Sequence, residues 1–214
     1  MARRKTTMSL DERAALPIAE ENPGIEFLRL NRQEICEREI NSAIRLFLVD
    51  EDPISAHVLA SAATAIMEIL GKGRASVGLN SVRDMLKEAE LPPDLENEVF
   101  TGLQHSYNFL KHSSSDLAVE NDFSVDYILM TVYGAAHSYK LLFETTTAEM
   151  RVFNAIVQAW RPQWWSDDPN LDGKVAVARR MGLLGATRHE FCEIGRRYLQ
   201  REWDRQAYER KQAT

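Results

Sequence analysis

The sequence predicts an all-α protein, an antiparallel helical bundle of four to five main helices with a helical C-terminal extension. Three observations carry this reading. Apolar residues recur at intervals of three and four through one segment after another. The segments are bounded by residues that start or stop helices, such as Asp52-Pro53, Gly71 and Ser124. No segment alternates with the period of a strand, and no internal repeat or low-complexity tract is present.

Residues 1–30 mix charges with Pro17, Pro23 and Gly24 and read as an N-terminal arm. From residue 31 the pattern turns helical, with Cys36, Ile40, Ala43, Ile44 and Phe47 on one stripe. Asp50-Glu-Asp-Pro53 ends that helix and opens the next, with Asp52 as N-cap and Pro53 at the first helical position. The second helix runs from Pro53 to Leu70. Its stripe is Ile54, Val58, Ala62, Ala65, Ile66 and Ile69, its Ala and Ser content suggests close packing, and Gly71 stops it.

A short amphipathic helix is expected over 81–90, then a longer one from Leu95 to about His112 with Leu95, Val99, Leu103, Ser106 and Leu110 inward. Ser124 caps a fifth helix reaching about Glu144, and a sixth spans about Thr147 to Trp160. Together 31–165 form the bundle. Residues 166–173, Ser-Asp-Asp-Pro-Asn-Leu-Asp-Gly, are rich in turn formers and read as a linker to a charged extension, 174–214. Within that extension a short helix is expected near Lys174–Met181 and a long one from Thr187 to about Lys211. Trp160 and Trp164, four apart, are expected to close the end of the bundle against it.

With 214 residues, 44% apolar and 27% charged, the chain is long enough for one domain with a real core, held without a metal or disulfide. Cys36 and Cys192 lie far apart with no partner at CxxC spacing, which suits reduced thiols. The basic Met1-Ala-Arg-Arg-Lys5 is not followed by an apolar stretch, and the longest apolar run, 127–136, is too short to span a bilayer. A cytoplasmic protein without membrane association is expected. Net charge is −6 but uneven: carboxylates dominate up to residue 173, whereas Lys and Arg dominate 174–201. Only the C-terminal part could therefore attract an anionic partner by charge.

The most suggestive chemistry lies in His105-Ser-Tyr-Asn-Phe-Leu-Lys-His112. At roughly 100° per residue, His105, Asn108 and His112 fall together on the side away from the leucine and valine stripe. Imidazoles and an amide have no packing reason to gather there, so that face should meet solvent, a ligand or another subunit. Asn108 and His112, at i and i+4, could act together, the His as proton carrier and the Asn as hydrogen-bond partner, with Lys111 adding positive charge.

The run Tyr107-Asn-Phe-Leu-Lys-His112 resembles the motif of the HEPN superfamily: an Arg, a polar residue, three variable residues and a His, near the end of a long helix in a bundle. The resemblance implies that Asn108 holds the polar position and His112 the catalytic one, in a metal-independent ribonuclease of a toxin or defence system that acts as a homodimer. Lys111, His105, Tyr107, Asp116 and His57 are further candidate binding residues. Tyr107 stands where the motif has Arg, and a tyrosine supplies no guanidinium to neutralise a phosphorane. Binding of RNA or a partner protein, without cleavage, is the expectation, and no cofactor is implied.

Two further readings compete. His57, His112 and His137 sit on separate helices, as metal ligands do in helical phosphohydrolases, though no HD, HExxH or ExxH pattern is present. His57 and His137 also border apolar stripes, where a histidine making one hydrogen bond is the usual occupant. Ala178-Arg-Arg-Met-Gly182 before a second helix is similar to a helix-turn-helix, with Arg188, Arg196, Arg197 and Arg201 as phosphate contacts; an i,i+4 pair between Glu193 and Arg197 explains the same charges as helix support.

Overall fold

The computed structural model describes residues 28–72, 77, 94, 97–102, 108, 120, 122–165 and 170–212. Every regular element among them is helical: α1 (Arg32–Leu48), α2 (Pro53–Leu70), α3 (Val125–Phe143), α4 (Ala148–Trp160), a 3-10 turn (Pro162–Trp165), α5 (Leu171–Met181) and α6 (Arg188–Gln212). Residues 97–102 and Asn108 are helical as well. The expected helices over 81–90 and most of 103–119 lie outside the described residues.

Local chemistry places the ends of these helices. The Asp52 carboxylate accepts the Ser55 N–H at 3.1 Å and Pro53 takes the first turn of α2. Ser124 caps α3 through the Tyr127 N–H, and Thr147 caps α4 through that of Met150. At α6, Thr187 and Glu190 form a reciprocal capping box: the Thr187 N–H reaches Glu190 Oε2 at 2.7 Å and the Glu190 N–H reaches Thr187 Oγ1 at 3.3 Å. Gly182 closes α5 at φ +74°, a conformation that favours glycine.

α1 is the hub, touching α2, α3, α4 and α6. Cys36, early in α1, donates to the Ala63 carbonyl late in α2, and Tyr139, late in α3, donates to Glu37 Oε2 at 2.9 Å, so α2 and α3 both run antiparallel to α1. The expected α1 stripe of Cys36, Ile40, Ala43, Ile44 and Phe47 is buried. Phe47 meets Phe153 of α4 and Phe191 of α6 edge-on, with ring centroids 6.2 and 6.4 Å apart, and Trp160 stacks on Phe191 at 4.2 Å while its Nε1 donates to the Ala186 carbonyl at 2.8 Å. Each buried ring contributes about 2–3 kcal/mol through area removed from water, and the edge-on pairs add about 1 kcal/mol. Both cysteines are free and buried, and burial raises each thiol pKa to about 11.

Three differences from the sequence reading have physical causes. α2 has the expected bounds, but its packed face is Ala56, His57, Ala60, Ser61, Ala63, Thr64 and Met67, not the Ile54–Ile69 stripe. The helix carries apolar residues almost all round, so periodicity does not choose a face; the small residues win because they let α1 and α3 approach closely. α5 begins at Leu171, so Leu171-Asp-Gly173 is its first turn rather than linker; the Asn170 side chain lies over the space that a Cβ on Gly173 would fill. Residues 174–214 are also less of an appendage than their charge suggests, since Ala178, Leu183, Phe191, Cys192, Ile194 and Leu199 join the same buried cluster as α1 to α4.

Candidate functional site

Of the predicted site residues, Asn108 and His57 fall among the described residues; His105, Tyr107, Lys111, His112 and Asp116 lie outside them. Asn108 is helical and exposed. Val99, nine positions earlier, is 9% exposed and belongs to the expected inward stripe. Gly102 holds this segment against α3, because a Cβ there would stand 2.4 Å from Tyr127 Cε2. Beside this contact is an open depression of about 500 Å³ lined by Asp94, Asn97, Glu98, Thr101, Gly102 and Tyr127. Its charged lining is anionic, which repels a phosphate backbone at that end of the segment.

His57 does not sit where the sequence places it. Instead of a boundary histidine with one hydrogen bond, it is 1% exposed on the packed face of α2, and neither ring nitrogen has a hydrogen-bond partner among the described residues. Burial disfavours the imidazolium and pushes its pKa down to about 4, so the ring is neutral at physiological pH. His137 on α3 stacks on Tyr133, whose hydroxyl accepts from Gln158 at 3.0 Å. Among the described residues no three His, Cys, Asp or Glu side chains cluster closely enough to hold a metal ion.

The C-terminal arginines divide into two sets. Glu51, in the turn between α1 and α2 at φ +53°, gathers the first: His189 Nδ1 at 3.2 Å, Arg196 at 3.3 Å and Arg188 at 3.8 Å. The hydrogen bond from His189, followed by the neighbouring cations, holds the Glu51 carboxyl below the usual range. Arg196 also donates to the Val49 carbonyl at 3.2 Å and the Leu48 carbonyl at 3.5 Å, satisfying the C-terminal end of α1. These two arginines therefore bind the fold rather than a phosphate. Arg179, Arg180 and Arg197 form the second set, exposed and without an ion pair among the described residues; Arg201 lies over the Tyr198 ring. Glu193 pairs with His189 at 3.8 Å, not with Arg197.

Glu51 is the residue that sequence reasoning missed. It sits in the acidic run Asp50-Glu-Asp52, which reads as a helix stop, and the available signal was the excess positive charge of 174–201 needing a counter-charge elsewhere. Compared with protein-family models, with curated proteins and with solved structures, the chain has no match.

Proposed function

We propose that the chain is a HEPN-like helical domain acting as a non-catalytic recognition module, with the face of Asn108 as the surface that engages a partner protein. The observation that carries this reading is the exposure of Asn108, which by sequence spacing falls on the side of a helix away from the buried Val99. By sequence spacing, His105 and His112 share the Asn108 side. The replacement of the motif's Arg by Tyr107 argues against phosphodiester cleavage. The anionic lining beside Gly102 and the acidic balance of the first 173 residues favour a protein over a polyanion at this face.

A second reading, RNA binding, is favoured by Arg179, Arg180 and Arg197 of α5 and α6, exposed and without an ion pair among the described residues. One comparison separates the two. Crosslinking and mass spectrometry from the native host, with wild type and the double variant Asn108→Ala/His112→Ala at matched melting temperature, should show loss of a specific protein contact in the variant. Fluorescence anisotropy with a single-stranded RNA should show no binding at physiological salt. Salt-sensitive RNA binding lost on Arg197→Ala but kept in the Asn108/His112 variant would transfer the function to the C-terminal helices. Cleavage of that RNA, abolished by His112→Ala, would overturn the non-catalytic reading.

A further inference from the structure

α2 is apolar on both sides, but among the described residues only one side is packed. Within Pro53–Leu70 the one charged residue is Glu68. The outward face carries Val58 at 44% exposure, Ile69 at 69% and Leu70 at 36%, with Ala62, Ala65 and Ile66 half-buried between them. A helix that is hydrophobic all round ordinarily lies wholly in a core or a membrane, and contiguous exposed apolar surface marks an interaction site. α2 is also the described helix that is long and apolar enough to cross a membrane, although its inner face packs on α1 and α3.

The pattern on the outward face identifies the occupant. Val58, Ala62, Ala65 and Ile69 fall within a stripe roughly 60° wide at the helical period. Their order is large, small, small, large, and it is symmetric about the point between residues 63 and 64. Two such stripes crossing antiparallel about a two-fold axis at that point would set alanines against alanines, where backbones must come close. Each Val58 would then lie beside the other chain's Ile69. This is the self-complementarity an isologous contact requires. Charge points the same way: the chain is −6 overall, and this face lets two copies meet without opposing like charges.

We propose that α2 is the homodimer contact of this protein, a second copy packing antiparallel on the Val58–Ile69 stripe. The proposal rests on α2 alone and does not depend on the function proposed for the Asn108 face. α2 is about 27 Å long, so the buried area falls at the small end of specific interfaces and the dimer dissociates on dilution.

Sedimentation equilibrium of the full chain tests this, with circular dichroism confirming that each variant keeps its helical content. Wild type should pass from one chain mass to two as concentration rises. Val58→Glu and Ile69→Lys, both at exposed positions, should each weaken the dimer at least tenfold. The double variant should restore it, because antiparallel pairing sets each new carboxylate beside the other chain's new ammonium. Asn108→Ala should leave the dimer unchanged. A wild-type monomer at every concentration, a dimer indifferent to both single substitutions, or a double variant as weak as the singles would overturn the proposal. So would a wild-type monomer that floats with phosphatidylcholine vesicles and loses this on Ile69→Lys, which would assign the face to lipid.

Discussion

Gly195 of α6 lies against Leu48 of α1 so closely that a Cβ on the glycine would stand 2.8 Å from Leu48 Cδ2 and 2.9 Å from Ile156 Cδ1 of α4. All three residues are buried, so neither neighbour has open space to move into. The glycine is thus the point where three helices converge, and its cost to α6 in helix propensity, about 1 kcal/mol, is offset by the approach it permits.

Gly195→Ala should therefore destabilise the protein although alanine is the better helix former. Overpacking of about 1–3 kcal/mol opposes a propensity gain of about 1 kcal/mol, leaving a net loss of up to about 2 kcal/mol. Thermal or urea unfolding measures it. A more stable Gly195→Ala variant would show that Leu48 and Ile156 yield without cost.

His57 makes stability depend on pH in a defined window. In the unfolded chain the imidazole takes a proton near pH 6.5, whereas in the folded protein burial holds this off to about pH 4. Between those values the unfolded state binds more protons, so stability is complete above pH 6.5 and falls as the pH drops towards 4. The loss is about 3 kcal/mol in all, at about 1.4 kcal/mol per pH unit. His57→Leu removes two unpartnered buried nitrogens and should be at least as stable at pH 7, with a flatter profile between pH 6.5 and 4. Parallel profiles for the two proteins in urea titrations across that range would refute this account.

Arg196 ties α6 to the end of α1 through two carbonyls and Glu51. Arg196→Ala should cost about 1–2 kcal/mol by leaving those acceptors unpaired. Arg196→Lys should recover only part of that, because one ammonium cannot reproduce the planar fork of donors. Hydrogen exchange should show the Arg45–Leu48 turn opening more readily in the alanine variant. Unchanged protection there would mean that water replaces the guanidinium without loss.

The helix ends were legible because they are set by neighbours in sequence. Asp52 and Ser124 each cap the helix that follows through a side chain reaching three residues ahead, where the sequence places them, and Thr147, read as the start of its helix, caps it in the same way. The α1 stripe was legible too, since polar residues leave only one apolar face. Of the candidate site, Asn108 is exposed, and the other residues of that face, His105 and His112, lie outside the described residues.

The sequence by itself determined the all-α class, the bounds of α2 to α4 and the inward face of α1, since caps and amphipathic phase are local. The tertiary structure decided what depends on distant partners. α2 offers apolar residues on both sides, so only packing against α1 and α3 selects Ala56, Ala60, Ala63 and Met67 as its inner face. That selection buries His57 and leaves Val58 and Ile69 outside. Glu51 meets Arg188, His189 and Arg196, more than 130 positions later, because the core folds α6 back across the end of α1. Charge in sequence has no direction until packing gives it one.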